Sequence, residues 1–130
     1  MKNEKIKDEK AKPEFKVRLY RYIIRLIKFL TKLPNDPVTR VIKGQLTRSG
    51  TSMGGNYFED KGASSKRDYM NYYAIALKSA NESLFWLSVL RDSALVPKEI
   101  NEECEYLIKE TGELANIFAS SILTMKGKRK

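Results

Sequence analysis

From Phe15 to Leu33 the apolar residues Phe15, Leu19, Tyr22, Ile23, Leu26, Leu30 and Leu33 recur every three or four positions, which puts them on one face of an α-helix. Pro34 ends that pattern. A second helix follows with Asn35 or Asp36 as its cap and Pro37 in its first turn, where a missing N–H costs nothing. Its inner face is traced by Val38, Val41, Ile42, Gln45, Ser49, Ser52, Met53 and Asn56. Gly62-Ala63-Ser64-Ser65 interrupts the periodicity, and Ser64 or Ser65 caps a third helix running through Tyr69, Tyr73, Ala76, Leu77, Ala80, Leu84, Leu87 and Leu90. After a turn at Leu95-Val96-Pro97, Ile100, Cys104, Leu107, Ile108, Thr111, Leu114, Phe118 and Ile122 define a fourth. Four helices with short connections predict an all-α, antiparallel up-and-down four-helix bundle over residues 13–125. Residues 1–12 are too polar to fold alone and read as a charged, disordered tail, and residues 126–130 as a second, basic one.

Small and polar residues sit where an apolar core would place Leu: Ser49, Ser52 and Asn56 on the second helix, Ser79 and Asn81 on the third. A buried amide is costly unless paired, so Asn56 and Asn81 are expected to bond each other, Ser52, Ser79 or a glutamate, and to fix helix register. Glu59 and Glu82 complete this expected polar core. They are also the carboxylates that an acid/base reading would use, but such a pair is far more commonly structural. Gly54 and Gly55 each weaken a helix by about 1 kcal/mol relative to Ala, which predicts a close approach by another backbone.

These runs resemble those of the small bacterial four-helix-bundle family named after the intervening sequences of 23S ribosomal RNA genes. Arg48, Ser52, Met53, Gly54, Asn56 and Glu59 match the family's Arg-x-x-x-Ser-Ile-(Gly/Pro)-x-Asn-Ile-x-Glu run, and Ala76, Leu77, Ser79, Asn81 and Glu82 match its Ala-Leu-x-Ser-x-Asn-Glu run. The chain departs from the pattern at Tyr57, Asp60 and Gly55. The resemblance covers residues 14–125 and implies a bundle that assembles as a pentamer, with no known catalysis. It also implies nucleic acid or a reverse transcriptase as partners, because a relative serves diversity-generating retroelements as a basic accessory subunit.

The apolar band of helix one is wider than one bundle interior can bury, since Tyr20, Ile24 and Ile27 extend it. Helix three shows the same excess at Tyr72, Ile75, Phe85, Trp86 and Val89. Either the aromatics widen the internal core or a second copy of the chain covers them; the size of the excess favours a homo-oligomer.

Charge adds a second theme. The chain has 130 residues and a net charge of +9, made up of +2 over residues 1–12, +5 over 14–33, +1 over 34–63, +1 over 64–96, −4 over 97–125 and +4 over 126–130. Arg18, Arg21, Arg25, Lys28 and Lys32 form a single row on helix one, a candidate surface for sequence-tolerant contact with RNA or DNA phosphates. The plainer reading is the solvated face of an amphipathic helix, in which case the protein is a structural or protein-interaction scaffold. The absence of histidine removes the usual zinc sites, the Glu-x-x-His pairs of di-iron bundles and Ser-His or Cys-His nucleophiles, so no metal, cofactor or catalysis is expected. No apolar run nears the roughly 20 residues that span a bilayer, and the single cysteine, Cys104, suits a reducing cytoplasm.

Overall fold

A computed structural model of the chain describes residues 3–59 and 64–127, with side chains from Glu14 onward. Gly62 and Ala63 of the expected break, and Lys128 to Lys130 of the expected basic tail, lie outside the described residues. Helices α1 (Asn3–Thr31), α2 (Pro37–Glu59), α3 (Lys66–Asp92) and α4 (Asn101–Met125) follow in order, with a 3-10 turn at Lys98–Ile100 before the last. The helical backbone of α1 begins at Asn3, so Asn3 to Lys12 continue the helix where the sequence suggests a disordered tail. Lys, Glu and Ala are strong helix formers, and propagation from an already packed helix needs no nucleus of its own.

The caps choose between the alternatives open in the sequence. Asp36 accepts the Thr39 N–H at 3.2 Å ahead of α2. Ser65 accepts the Asp68 N–H at 3.1 Å, and the Ser64 hydroxyl donates back to Asp68 at 2.9 Å. At the end of α3, Leu95 N–H reaches Leu90 C=O and Ala94 N–H reaches Arg91 C=O, both at 3.1 Å. This closing pattern places Ala94 in the left-handed region at φ 59°, where α4 ends on Gly127 instead.

Partner numbers run in opposite directions across every pair of neighbouring helices. Arg18 meets Glu110 and Arg25 meets Glu103 between α1 and α4; Ser49 meets Ser83 and Ser52 meets Ser79 between α2 and α3. Between α3 and α4, Tyr73 packs on Phe118 and the Cys104 thiol faces the Leu87 carbonyl. α1 packs beside α2 and α4, and α3 beside the same two, so α1 and α3 are diagonal. The core between them is built from fully buried Leu19, Tyr22, Leu26, Phe29, Leu46, Met53, Leu87, Leu90, Leu107, Leu114 and Phe118. Each buried Leu or Phe contributes about 1.5–3 kcal/mol. One end is closed by aromatic edges, with Phe15 against Tyr57 at 5.2 Å and against Phe118 at 5.6 Å.

Glycine brings α1 down onto α2. A methyl group on Gly50 would overlap Leu26 Cδ2, and one on Gly54 would overlap Ile23 Cδ1, so the missing side chains of α2 are filled by those of α1. What approaches is therefore side chain, not backbone. The second glycine of this contact is Gly50, because Gly55 faces open space.

Candidate functional site

The five cations of α1 do not stand as an unopposed row. Antiparallel closure of the bundle sets acidic α4 directly beside them. Arg18 grips Glu110 with both arms, Nε to Oε2 at 2.5 Å and Nη2 to Oε1 at 2.9 Å, and reaches Glu113 at 2.6 Å. The Glu110 hydrogen bond, opposed by partial burial, holds the proton on Arg18 even more firmly than usual. Arg25 makes the same fork with Glu103 at 2.9 and 2.7 Å, which raises its proton affinity, and its guanidinium lies 3.6 Å over the Tyr106 ring. Lys28 and Lys32 share a hollow with Glu99, Glu102 and Glu103. Among the described residues, Arg21, Lys28 and Lys32 make no ion pair, so the row divides into two cations bound to α4 and three that remain available.

Beneath this seam Tyr22 donates to Thr111 at 2.5 Å, and Thr111 donates in turn to Leu107 C=O at the same distance. Burial pushes the Tyr22 hydroxyl pKa upward, and the Thr111 hydrogen bond only partly offsets this. The pair satisfies two buried hydroxyls.

The expected polar core assembles differently from its sequence outline. Ser52 and Ser79 meet at 2.9 Å, and Ser49 and Ser83 at 2.8 Å, forming a file of hydroxyls between α2 and α3. Ser83 donates to its own helix at Ser79 C=O, 2.9 Å, and so accepts from Ser49. Asn56 is half-buried and turned back along its own helix, donating to Ser52 C=O at 2.8 Å and to Ser52 Oγ at 3.2 Å. Asn81, Glu59 and Glu82 are exposed and do not belong to this core. The reason for Asn81 is angular: it lies two residues beyond Ser79, about 200° around a helix of 3.6 residues per turn, and points away from α2. Glu59 is the last residue of α2, and Glu82 sits on the rim. Ser83 is the member that the sequence pattern leaves unmarked, although its spacing of four from Ser79 places it on the same face.

Glu82 and Asn81 instead line an open groove with Gln45, Leu77, Phe85 and Trp86. Phe85 and Trp86 meet edge to face at 4.9 Å. Other large apolar side chains are exposed as well, Val17, Tyr20 and Ile27 on α1 and Ile75 on α3 among them. Cys104 is buried, and burial pushes its thiol pKa up to about 11, the environment of an inert core residue. Among the described residues, no group of His, Cys, Asp or Glu is placed to hold a metal ion, and no helix is long and apolar enough to cross a membrane.

The family described as 23S rRNA-intervening sequence protein matches over residues 17–117. A solved structure from Bacteroides thetaiotaomicron, a protein of unknown function from the S23 ribosomal protein family, is similar at TM-score 0.73 and 31% identity. The match covers 82% of this chain and 96% of that one. No curated protein matches the chain.

Proposed function

Because the chain belongs to the 23S rRNA-intervening sequence protein family, we propose that it is a non-enzymatic bundle that self-associates and serves as a scaffold subunit. One observation carries this reading: large apolar side chains stand in solvent around the bundle, Tyr20 at 59% exposure on α1, Val38 at 62% and Val41 at 63% on α2, and Phe85 at 57% on α3. Burying them needs a partner, since the helices of one chain are already used up on its own core. Native mass spectrometry or light scattering at micromolar concentration is expected to give a closed homo-oligomer, with five copies favoured by the family resemblance. A strict monomer refutes it.

A second reading, sequence-tolerant binding of RNA or DNA, draws support from the cations that α4 leaves unpaired. Arg21, Lys28 and Lys32 are available on α1, and α3 begins with Lys66 and Arg67 at the end of the bundle where α4 reaches Lys126. On this reading log affinity for duplex nucleic acid falls linearly with log salt, by about 0.9 per phosphate contacted. Replacing Arg21 and Lys28 together by Gln weakens binding to all sequences alike. An absence of binding by the unmodified protein at low salt leaves the scaffold reading alone.

A further inference from the structure

Pairing with α4 takes Arg25 out of the row of available cations but leaves its flat face free. Glu103 holds the guanidinium along one edge, through Nε at 2.9 Å and Nη2 at 2.7 Å, and the Tyr106 ring supports it from beneath at 3.6 Å. Held in its own plane by one partner and against a ring by the other, the group is a fixed plate, not a swinging charge. The side chain is nevertheless 44% exposed. With one face on Tyr106, solvent reaches the opposite face and the Nη1 edge.

This plate stands between two hollows of the α1/α4 seam. One, of about 740 Å³, is lined by Arg18, Arg21 and Tyr106, and the other, of about 410 Å³, by Lys28 and Lys32 across from Glu99 and Glu102. Arg21 lies four residues before Arg25 and Lys28 three after it, so all three share one side of α1. Neither Arg21 nor Lys28 has a carboxylate partner among the described residues. A fixed guanidinium plane with an unpaired cation on either side suits an unpaired base together with the phosphates before and after it. Resting on the nucleic-acid reading, we infer that the seam binds single strands, one base stacking on Arg25 and its flanking phosphates meeting Arg21 and Lys28.

The carboxylates of α4 set the orientation and the preference for single strands. Glu103, Glu110 and Glu113 are held by arginines, and Glu99 and Glu102 face the second hollow from the same helix. They repel phosphate and tolerate an uncharged base, so the backbone of the strand keeps to α1 and the base turns toward α4. A duplex keeps its bases stacked on one another and offers Arg25 none. The site also stays clear of the apolar residues assigned to self-association. Ile23 fills the space at Gly54, so Tyr20, three residues earlier, lies on the α2 side of α1, away from this seam.

Fluorescence anisotropy of short labelled RNA and DNA strands of one mixed sequence, and of the matching duplex, tests this. Arg25→Lys keeps the charge and loses the plate; it is expected to weaken single-strand binding about 5- to 150-fold and to leave duplex binding unchanged. Arg21→Gln should lower the slope of log affinity against log salt by about 0.7, the share of one phosphate on a single strand, and Arg21→Lys should not. The tighter of the two strands tells RNA from DNA as the source of the base. Circular dichroism reports whether each variant folds, and should Arg25→Lys lose its helix signal, Tyr106→Leu replaces it by removing the ring beneath the guanidinium. An Arg25→Lys protein that binds single strands as tightly as the unmodified one, or that loses strand and duplex alike, overturns the stacking site while the nucleic-acid reading stands. An unmodified protein that binds neither strand nor duplex at low salt removes that reading itself.

Discussion

Gly50→Ala and Gly55→Ala make the same chemical change five positions apart on one helix, about 1.4 turns, and are expected to have opposite effects. Either substitution gains about 1 kcal/mol of helix propensity. At Gly55 nothing lies within reach of the new methyl, so the gain stands and stability rises by about that amount. At Gly50 the methyl lands on Leu26 Cδ2, and Leu26 is wholly buried, so it must leave its rotamer or push α1 outward. Overpacking of this kind costs about 1–3 kcal/mol, which cancels the propensity gain or exceeds it by up to about 2 kcal/mol. Gly54→Ala falls between, because the overlapping atom is the far end of half-buried Ile23. Urea unfolding at fixed protein concentration, with unchanged m-values, reads the series directly. Leu26→Ala supplies the cross-check: it costs about 2–5 kcal/mol alone and less in the Gly50→Ala protein, whose methyl takes up part of the vacated volume. Equal stabilisation by Gly50→Ala and Gly55→Ala would refute the close seating of α1 on α2.

Three other changes test separate features. Arg18→Gln leaves Glu110, only 8% exposed, without its bidentate partner and should cost about 1–3 kcal/mol in thermal or urea unfolding. Arg25→Gln breaks a more exposed pair and should cost about 0.2–1 kcal/mol; reversal of that order would contradict the seam geometry. Ala94→Gly should raise stability by about 1 kcal/mol by relieving a left-handed alanine, and a loss would show that φ there is not strained. Hydrogen bonds to Thr39 lower the Asp36 pKa, so its contribution is complete above the unfolded value and disappears as pH falls through the folded one. Asp36→Asn keeps the cap but removes that dependence, so the stability difference between the two proteins should shrink between about pH 5 and pH 2. A constant difference would rule out ionised Asp36 as the acceptor.

The architecture was legible because periodic Leu and Tyr positions, the Pro34 stop and the Ser65 cap all follow from local rules that hold without knowledge of the partner. The polar positions were read less well. Ser52 and Ser79 meet as their helical spacing requires. Asn81 and Glu82 lie in the same run yet point outward, since a family-like motif marks residues together in sequence without marking which side of the helix they occupy. The basic row was visible, and so was the acidity of α4; what escaped was that an up-and-down bundle makes its first and last helices neighbours, so the two charges answer each other. Gly50 escaped for a similar reason. A glycine's meaning depends on the side chain opposite, and Leu26 is 24 positions away.

The seam between α1 and α4 joins residues far apart along the chain, 89 positions between Tyr22 and Thr111 and 92 between Arg18 and Glu110. The α1/α2, α2/α3 and α3/α4 contacts join consecutive helices across short connections. Loop-closure entropy opposes the long-range seam until the nearer pairs have formed, so folding should pass through a barrier at which consecutive helices are already associated and the seam between α1 and α4 is still open. Loss of the Tyr22 or Arg18 contact would then hasten unfolding and leave the folding rate almost unchanged, whereas substitutions in the serine file would slow folding.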